Sequence, residues 1–122
     1  MTQQIILVFG ASFGLLAVVF GAFGAHALKK VLTEEQLKSF ETGVKYQMYH
    51  ALVLLFTGSY FNSPAPLIGW CFIIGIMLFS FSIYGLVLSD TRGKKMKFLG
   101  PITPLGGLFL IIGWVMLLVE FL

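Results

Sequence analysis

Between Ile5 and Leu28 the chain carries no Asp, Glu, Lys or Arg. An apolar run of that length crosses a bilayer with some tilt. Three further stretches, at about 44–61, 67–88 and 104–122, are long enough to follow it across. Spans of about 20 residues consume most of so short a chain and leave only brief connections. Only 11% of the 122 residues are charged and 58% are hydrophobic, whereas about a quarter of a soluble domain is charged. The composition excludes a soluble globular enzyme. Residues 1–122 are expected to form a single membrane domain of all-α class, an integral membrane four-helix bundle with a short amphipathic helix between the first and second spans.

The connections carry their own signals. Ala25-His26-Ala27 mimics the cleavage site of a secretory signal peptide, but the start Met1-Thr2-Gln3-Gln4 has no basic residue and lysines follow the apolar run at once. The segment is expected to be retained as the first span. Thr33-Glu34-Glu35-Gln36 fits a capping box, and Leu37, Phe40 and Val44 then recur at helical spacing. This amphipathic stretch either runs into the second span or bends toward it at Gly43. Asn62-Ser63-Pro64-Ala65-Pro66 is an uncharged turn. Gly100-Pro101 leads irregularly toward the fourth span, where Thr103 is expected as the N-cap ahead of Pro104.

All 8 Lys and Arg residues fall in 29–45 and 89–97. With four spans, these two segments share one side of the membrane and both termini share the other. The positive-inside rule then puts the basic loops in the cytoplasm and both termini outside, in the cell (inner) membrane. The net charge of +3 therefore marks orientation and gives no reason to expect a nucleic-acid partner. Tyr60, Phe61 and Trp70 fall at the outer interface, and Tyr46, Tyr49 and Tyr84 near the inner one. Trp114 lies too deep for an aromatic belt and is expected to pack between helices.

Lipid removes most of the hydrophobic drive for helix association, so close packing and a few hydrogen bonds must hold the bundle. Gly10, Gly14, Ala17, Gly21 and Gly24 recur at alternating four- and three-residue steps, a heptad seam of small residues. It serves packing within the chain or a subunit interface. Gly43, Gln47, His50, Leu54 and Thr57 repeat the same steps on the second span, and so polar a seam should face protein. The fourth span adds Gly106, Gly107 and Gly113 as packing residues.

Few side chains could carry chemistry. Cys71 is alone, which removes a dithiol relay and any internal disulfide. Glu120 is the one acid within a span, at its outer end, so a mid-membrane carboxylate for proton-coupled export is missing. There is no phosphate-binding glycine loop and no Ser/His/Asp set. No cofactor and no metal site is expected. Side-chain tilt brings His26 and His50 toward one depth from backbones roughly 6 Å apart. A polar cluster of His26, Tyr46, Gln47 and His50 thus becomes the candidate site. One fact opposes it: His26 points about 160° away from the Gly10 seam.

Gly21-Ala22-Phe23-Gly24-Ala25-His26-Ala27-Leu28, Thr42-Gly43-Val44 with Tyr46-Gln47 and Tyr49-His50-Ala51-Leu52, and Gly100-Pro101-Ile102-Thr103-Pro104-Leu105-Gly106-Gly107 with Gly113-Trp114 resemble the domain of unknown function 423 family. It is also called the transmembrane protein 256-like family. The resemblance covers essentially the whole chain and implies a small bacterial-type membrane protein with four helices, without implying a reaction. The residues favour a non-enzymatic packing, assembly or accessory module, with membrane lipids and a homo-oligomer as the partners to consider. The alternatives are small-solute or proton permeation at His26, Gln47 and His50, and a haem-, metal- or lipid-binding membrane enzyme.

Overall fold

The computed structural model describes residues 2–122 as four helices with no strand among the described residues. Helix α1 is Gln3–His26, α2 is Glu34–Tyr60, α3 is Pro66–Thr91 and α4 is Ile102–Phe121. A five-residue π-turn, Met77–Phe81, interrupts α3 without ending it. Short 3-10 turns, Leu28–Lys30 and Lys97–Leu99, follow α1 and precede α4.

Helix α2 begins where the capping box predicts. The Thr33 hydroxyl accepts from the Gln36 amide at 3.1 Å, and the Gln36 side chain accepts from the Thr33 amide at 2.9 Å. The helix then runs through Gly43 without a break, so the amphipathic stretch is its first turns. Gly43 is instead a point of close approach: a Cβ there would stand 2.8 Å from Cε1 of Tyr84. Helix α4 starts two residues earlier than expected, with Pro101 at the N-cap and no side-chain cap. The Thr103 hydroxyl is engaged across the bundle, 2.5 Å from that of Ser82 on α3. Gly93, at φ 80°, turns the chain out of α3 in the left-handed region that glycine adopts freely.

Helices α1 and α2 form one antiparallel pair, α3 and α4 another. In the first, the small-residue seam lies on α2. A Cβ on Gly10 would meet the Ala51 carbonyl oxygen at 3.1 Å, and one on Gly24 would meet Phe40 at 2.8 Å. The free end of the pair is tied by Gln3, whose Nε2 donates to the carbonyls of Gly58 and Phe61 at 3.0 and 2.7 Å. In the second pair Gly106 rests directly on the α3 backbone at Leu78 and Phe79, with no room for a side chain. Gly113 meets the Phe72 ring in the same way.

The two pairs meet chiefly between α2 and α3. One apolar cluster there contains Ile6, Ala51, Leu54, Phe72, Ile76 and Leu110; a smaller one, at the basic end, contains Leu28, Phe40, Tyr84 and Val87. Outward faces are apolar too. Leu15 is 66% exposed, Ile111 60% and Leu118 60%, a surface suited to acyl chains and costly in water. By length and composition three segments can cross a membrane, Gln3–Lys30, Pro66–Thr91 and Lys97–Phe121. Helix α2 fails that measure because Glu34, Glu35, Lys38, Glu41 and Lys45 crowd its first half and Gln47, His50 and Thr57 lie further along. These last three are all buried. The least apolar helix is therefore the one whose polar groups the other three surround.

Candidate polar core

Gln47 is fully buried, and an unpaired amide there would cost more than its hydrogen bonds contribute. Both ends are paired. Its Nε2 donates to the Phe13 carbonyl on α1 at 2.8 Å, and its Oε1 accepts from the Tyr84 hydroxyl on α3 at 2.7 Å. The carbonyl can only accept, which fixes the orientation of the amide. One side chain thus joins three helices. One turn along α3 from Tyr84, the Ser80 hydroxyl donates to the Gly43 carbonyl at 2.7 Å. Ser80 lies within the π-turn, where the wider winding changes the phase at which side chains leave the helix.

One turn beyond Gln47, His50 joins α2 to α4. Its Nδ1 lies 2.6 Å from the Tyr46 carbonyl oxygen, and the Trp114 indole Nε1 donates to its Nε2 at 3.0 Å. A carbonyl only accepts and an indole N–H only donates. The pair of bonds therefore selects the neutral imidazole with its proton on Nδ1; a second proton on Nε2 would face another N–H. Phe72 and Trp114 pack on the ring, with centroids 5.8 and 6.0 Å away.

Of the four residues singled out in the sequence, Gln47 and His50 lie in this core. Tyr46 contributes its carbonyl, while its ring is 41% exposed and rests on Phe79, centroids 4.9 Å apart. His26 stays outside. It is the last residue of α1 and exposed, because the seam that turns Gly10 and Gly24 toward α2 turns His26 away from it. The structure adds Ser80, Tyr84 and Trp114. The first two could have been found from their spacing, two hydrogen-bonding side chains one helical turn apart, although Ser82 between them gives the same signal. Trp114 was marked by its depth, although nothing in the sequence tied it to His50; it is 47% exposed and contributes its N–H inward.

Every buried side-chain nitrogen and oxygen among the described residues has a hydrogen-bond partner. Nor do three His, Cys, Asp or Glu side chains converge in a way that could hold a metal ion among the described residues. Cys71 sits with its Sγ 4.0 Å from the Met116 Sδ, a contact between α3 and α4.

The profile of the family described as "Protein of unknown function (DUF423)" matches residues 20–107, a stretch that holds Gln47, His50, Ser80 and Tyr84. The UPF0382 membrane protein YwdK of Bacillus subtilis is 41% identical over 123 residues, covering 97% of this chain and 96% of its own. This chain belongs to the DUF423 family of UPF0382 membrane proteins. A UPF0382 membrane protein of Staphylococcus aureus, strain bovine RF122, is 40% identical over 97% of this chain and 95% of its own. Another, from Staphylococcus haemolyticus, is 37% identical over the same shares. No solved structure matches the chain. For the UPF0382 family the relatives' names specify a membrane protein and no activity, in keeping with the apolar helices described above.

Proposed function

We propose that this UPF0382 protein is a non-enzymatic membrane module that packs and assembles within the cell (inner) membrane. The observation that carries this reading is the closure of its polar core. Gln47, Tyr84, Ser80 and Trp114 spend their hydrogen bonds on neighbouring helices, and His50 accepts from α4 while its other nitrogen is held by Tyr46 on its own helix, which is how polar groups hold a bundle together in lipid. Against a proton or solute path through His26, Gln47 and His50 stand the exposed position of His26 and the engagement of both His50 nitrogens. The seam of Gly10, Gly14, Ala17, Gly21 and Gly24 is occupied by α2, so any homo-oligomer uses the outward apolar faces. Proteoliposomes carrying the protein are expected to show proton flux no greater than empty liposomes. A flux above that background and lost in His50→Ala would overturn the reading.

The orientation we infer has both termini outside and the basic segments 29–45 and 89–97 in the cytoplasm. Its support is that all 8 Lys and Arg residues fall in those two segments.

A further inference from the structure

Outside the polar core, a cleft of about 710 Å³ opens at the basic end of the bundle, between the first turns of α2, the last turns of α3 and the start of α4. Its origin is in side-chain size. Deeper in the bundle α2 and α3 close on each other at Gly43, Ser80 and Tyr84. Toward the helix ends α2 presents Gln36, Ser39 and Thr42 to Ile83 and Val87, and these small or polar side chains do not fill the space between the helices. The volume falls within the range of about 300–1,000 Å³ typical of small-ligand sites.

The lining is amphipathic. Ile83, Leu86, Val87 and Pro104 give it an apolar wall, while Glu35, Asp90 and Lys95 bring charge to the same space. The partner that the protein gives Asp90 is a neutral one, the Gln36 amide, at 2.9 Å. Gln36 is held in turn by the capping box through its oxygen, so the carboxylate is oriented without its charge being neutralised. Two carboxylates and one ammonium make this cleft locally anionic, on an end of the molecule that carries all of its basic residues.

Its depth fits a headgroup. From Thr33 to Thr42 the α2 axis rises about 13 Å. That reaches from the headgroup layer, about 5–8 Å thick on each side of the hydrocarbon, to the first acyl carbons. The charged turns of α2 belong in that layer, and the wall formed by Ile83 and Val87 in the boundary beneath it.

We infer that this cleft binds a phosphoethanolamine headgroup, with the primary ammonium taken by Asp90 and Glu35, the phosphate by Lys95, and the glycerol and first acyl carbons lying along the apolar wall. Simple attraction of anionic lipid to the loop Arg92–Lys97 requires only positive charge. The cleft, by contrast, demands a cation that can donate N–H hydrogen bonds, which a quaternary ammonium cannot do. The inference rests on the helices spanning a bilayer, and is independent of which side the basic end faces and of whether the protein conducts.

The test uses the purified full-length protein in detergent micelles, titrated with dioleoylphosphatidylethanolamine, dioleoylphosphatidylcholine, dioleoylphosphatidylglycerol or soluble glycerophosphoethanolamine. The readouts are bound lipid in native mass spectra and the shift in Tm. Phosphatidylethanolamine is expected to bind about tenfold more tightly than phosphatidylcholine, the scale of one lost charge-assisted hydrogen bond. Asp90→Asn and Glu35→Gln should each erase most of that preference. Lys95→Ala should weaken both zwitterionic lipids alike, and Glu120→Gln, at the far end, should change nothing. Asp90→Asn retains an oxygen for Gln36, and an unchanged Tm without lipid shows that the fold is intact. Equal binding of the ethanolamine and choline lipids by the unaltered protein would overturn the inference. So would a preference that survives both Asp90→Asn and Glu35→Gln. Saturation by glycerophosphoethanolamine at the concentration that suffices for the lipid identifies a free headgroup compound as the source; binding of the lipid alone identifies the membrane.

Discussion

Trp114 and His50 are joined by a 3.0 Å hydrogen bond from indole N–H to imidazole Nε2, and this bond ties the last helix to the second. Trp114→Phe keeps most of the ring contact with Phe72 and removes the donor. The expected loss is about 1 kcal/mol, within the range of interhelical bonds in membranes, read as a lowered midpoint in denaturant titrations in micelles. His50→Ala also strands the indole N–H and opens a cavity beside Phe72, and should cost about 2–4 kcal/mol. Equal stabilities for the two variants would contradict the geometry.

Gln47 and Tyr84 form a second link, suited to a double-mutant cycle. Gln47→Leu and Tyr84→Phe should each destabilise the protein, and the double variant should lose less than the sum. The coupling energy is expected to be about 1 kcal/mol. Strict additivity would mean that the 2.7 Å bond between them contributes nothing.

Two adjacent glycines on α4 should behave oppositely. At Gly107 an added Cβ would be 3.7 Å from the Phe79 ring, ordinary contact, whereas at Gly106 it would collide with the backbone of Leu78 and Phe79. Gly107→Ala gains up to about 1 kcal/mol of helix propensity and should leave stability unchanged or raised. Gly106→Ala must push α4 off α3 and should cost about 1–3 kcal/mol. The apparent Tm of each purified variant decides the matter.

Orientation can be tested with single cysteines in a Cys71→Ala background. Lys95→Cys should react with a membrane-impermeant maleimide only in inverted vesicles. Ser63→Cys, in the turn between α2 and α3, should react only from the outside of intact cells. The reverse pattern would put the basic loops outside.

The parts of this structure that could be read from the sequence are those set by local chemistry. The capping box at Thr33 and Gln36 depends on two side chains and the amides beside them, so its sequence is enough. The glycine seam of α1 is likewise a matter of spacing. Which helix would lie on it was not legible, because small residues permit close approach without naming a partner. The same holds for the polar core. Gln47 and His50 announced themselves as polar residues in a span, but their partners are a backbone carbonyl in the middle of α1, a tyrosine on α3 and an indole on α4. His26 was expected near their depth, and its exclusion follows from helix phase, the 160° offset from the Gly10 seam that the spacing already showed. The Thr103 hydroxyl had a good local role as a cap and took a distant one with Ser82 instead.

The burial of the polar side of α2 also bears on how the protein enters its membrane. A helix carrying Gln47 and His50 near one face meets a penalty if it partitions into lipid alone. The acceptor that relieves Gln47 is the Phe13 carbonyl of α1, the element synthesised just before it. The first two helices therefore have reason to leave the translocon as one hairpin. The aromatic and serine groups of α3 and α4 then complete an interior whose first bond has already formed.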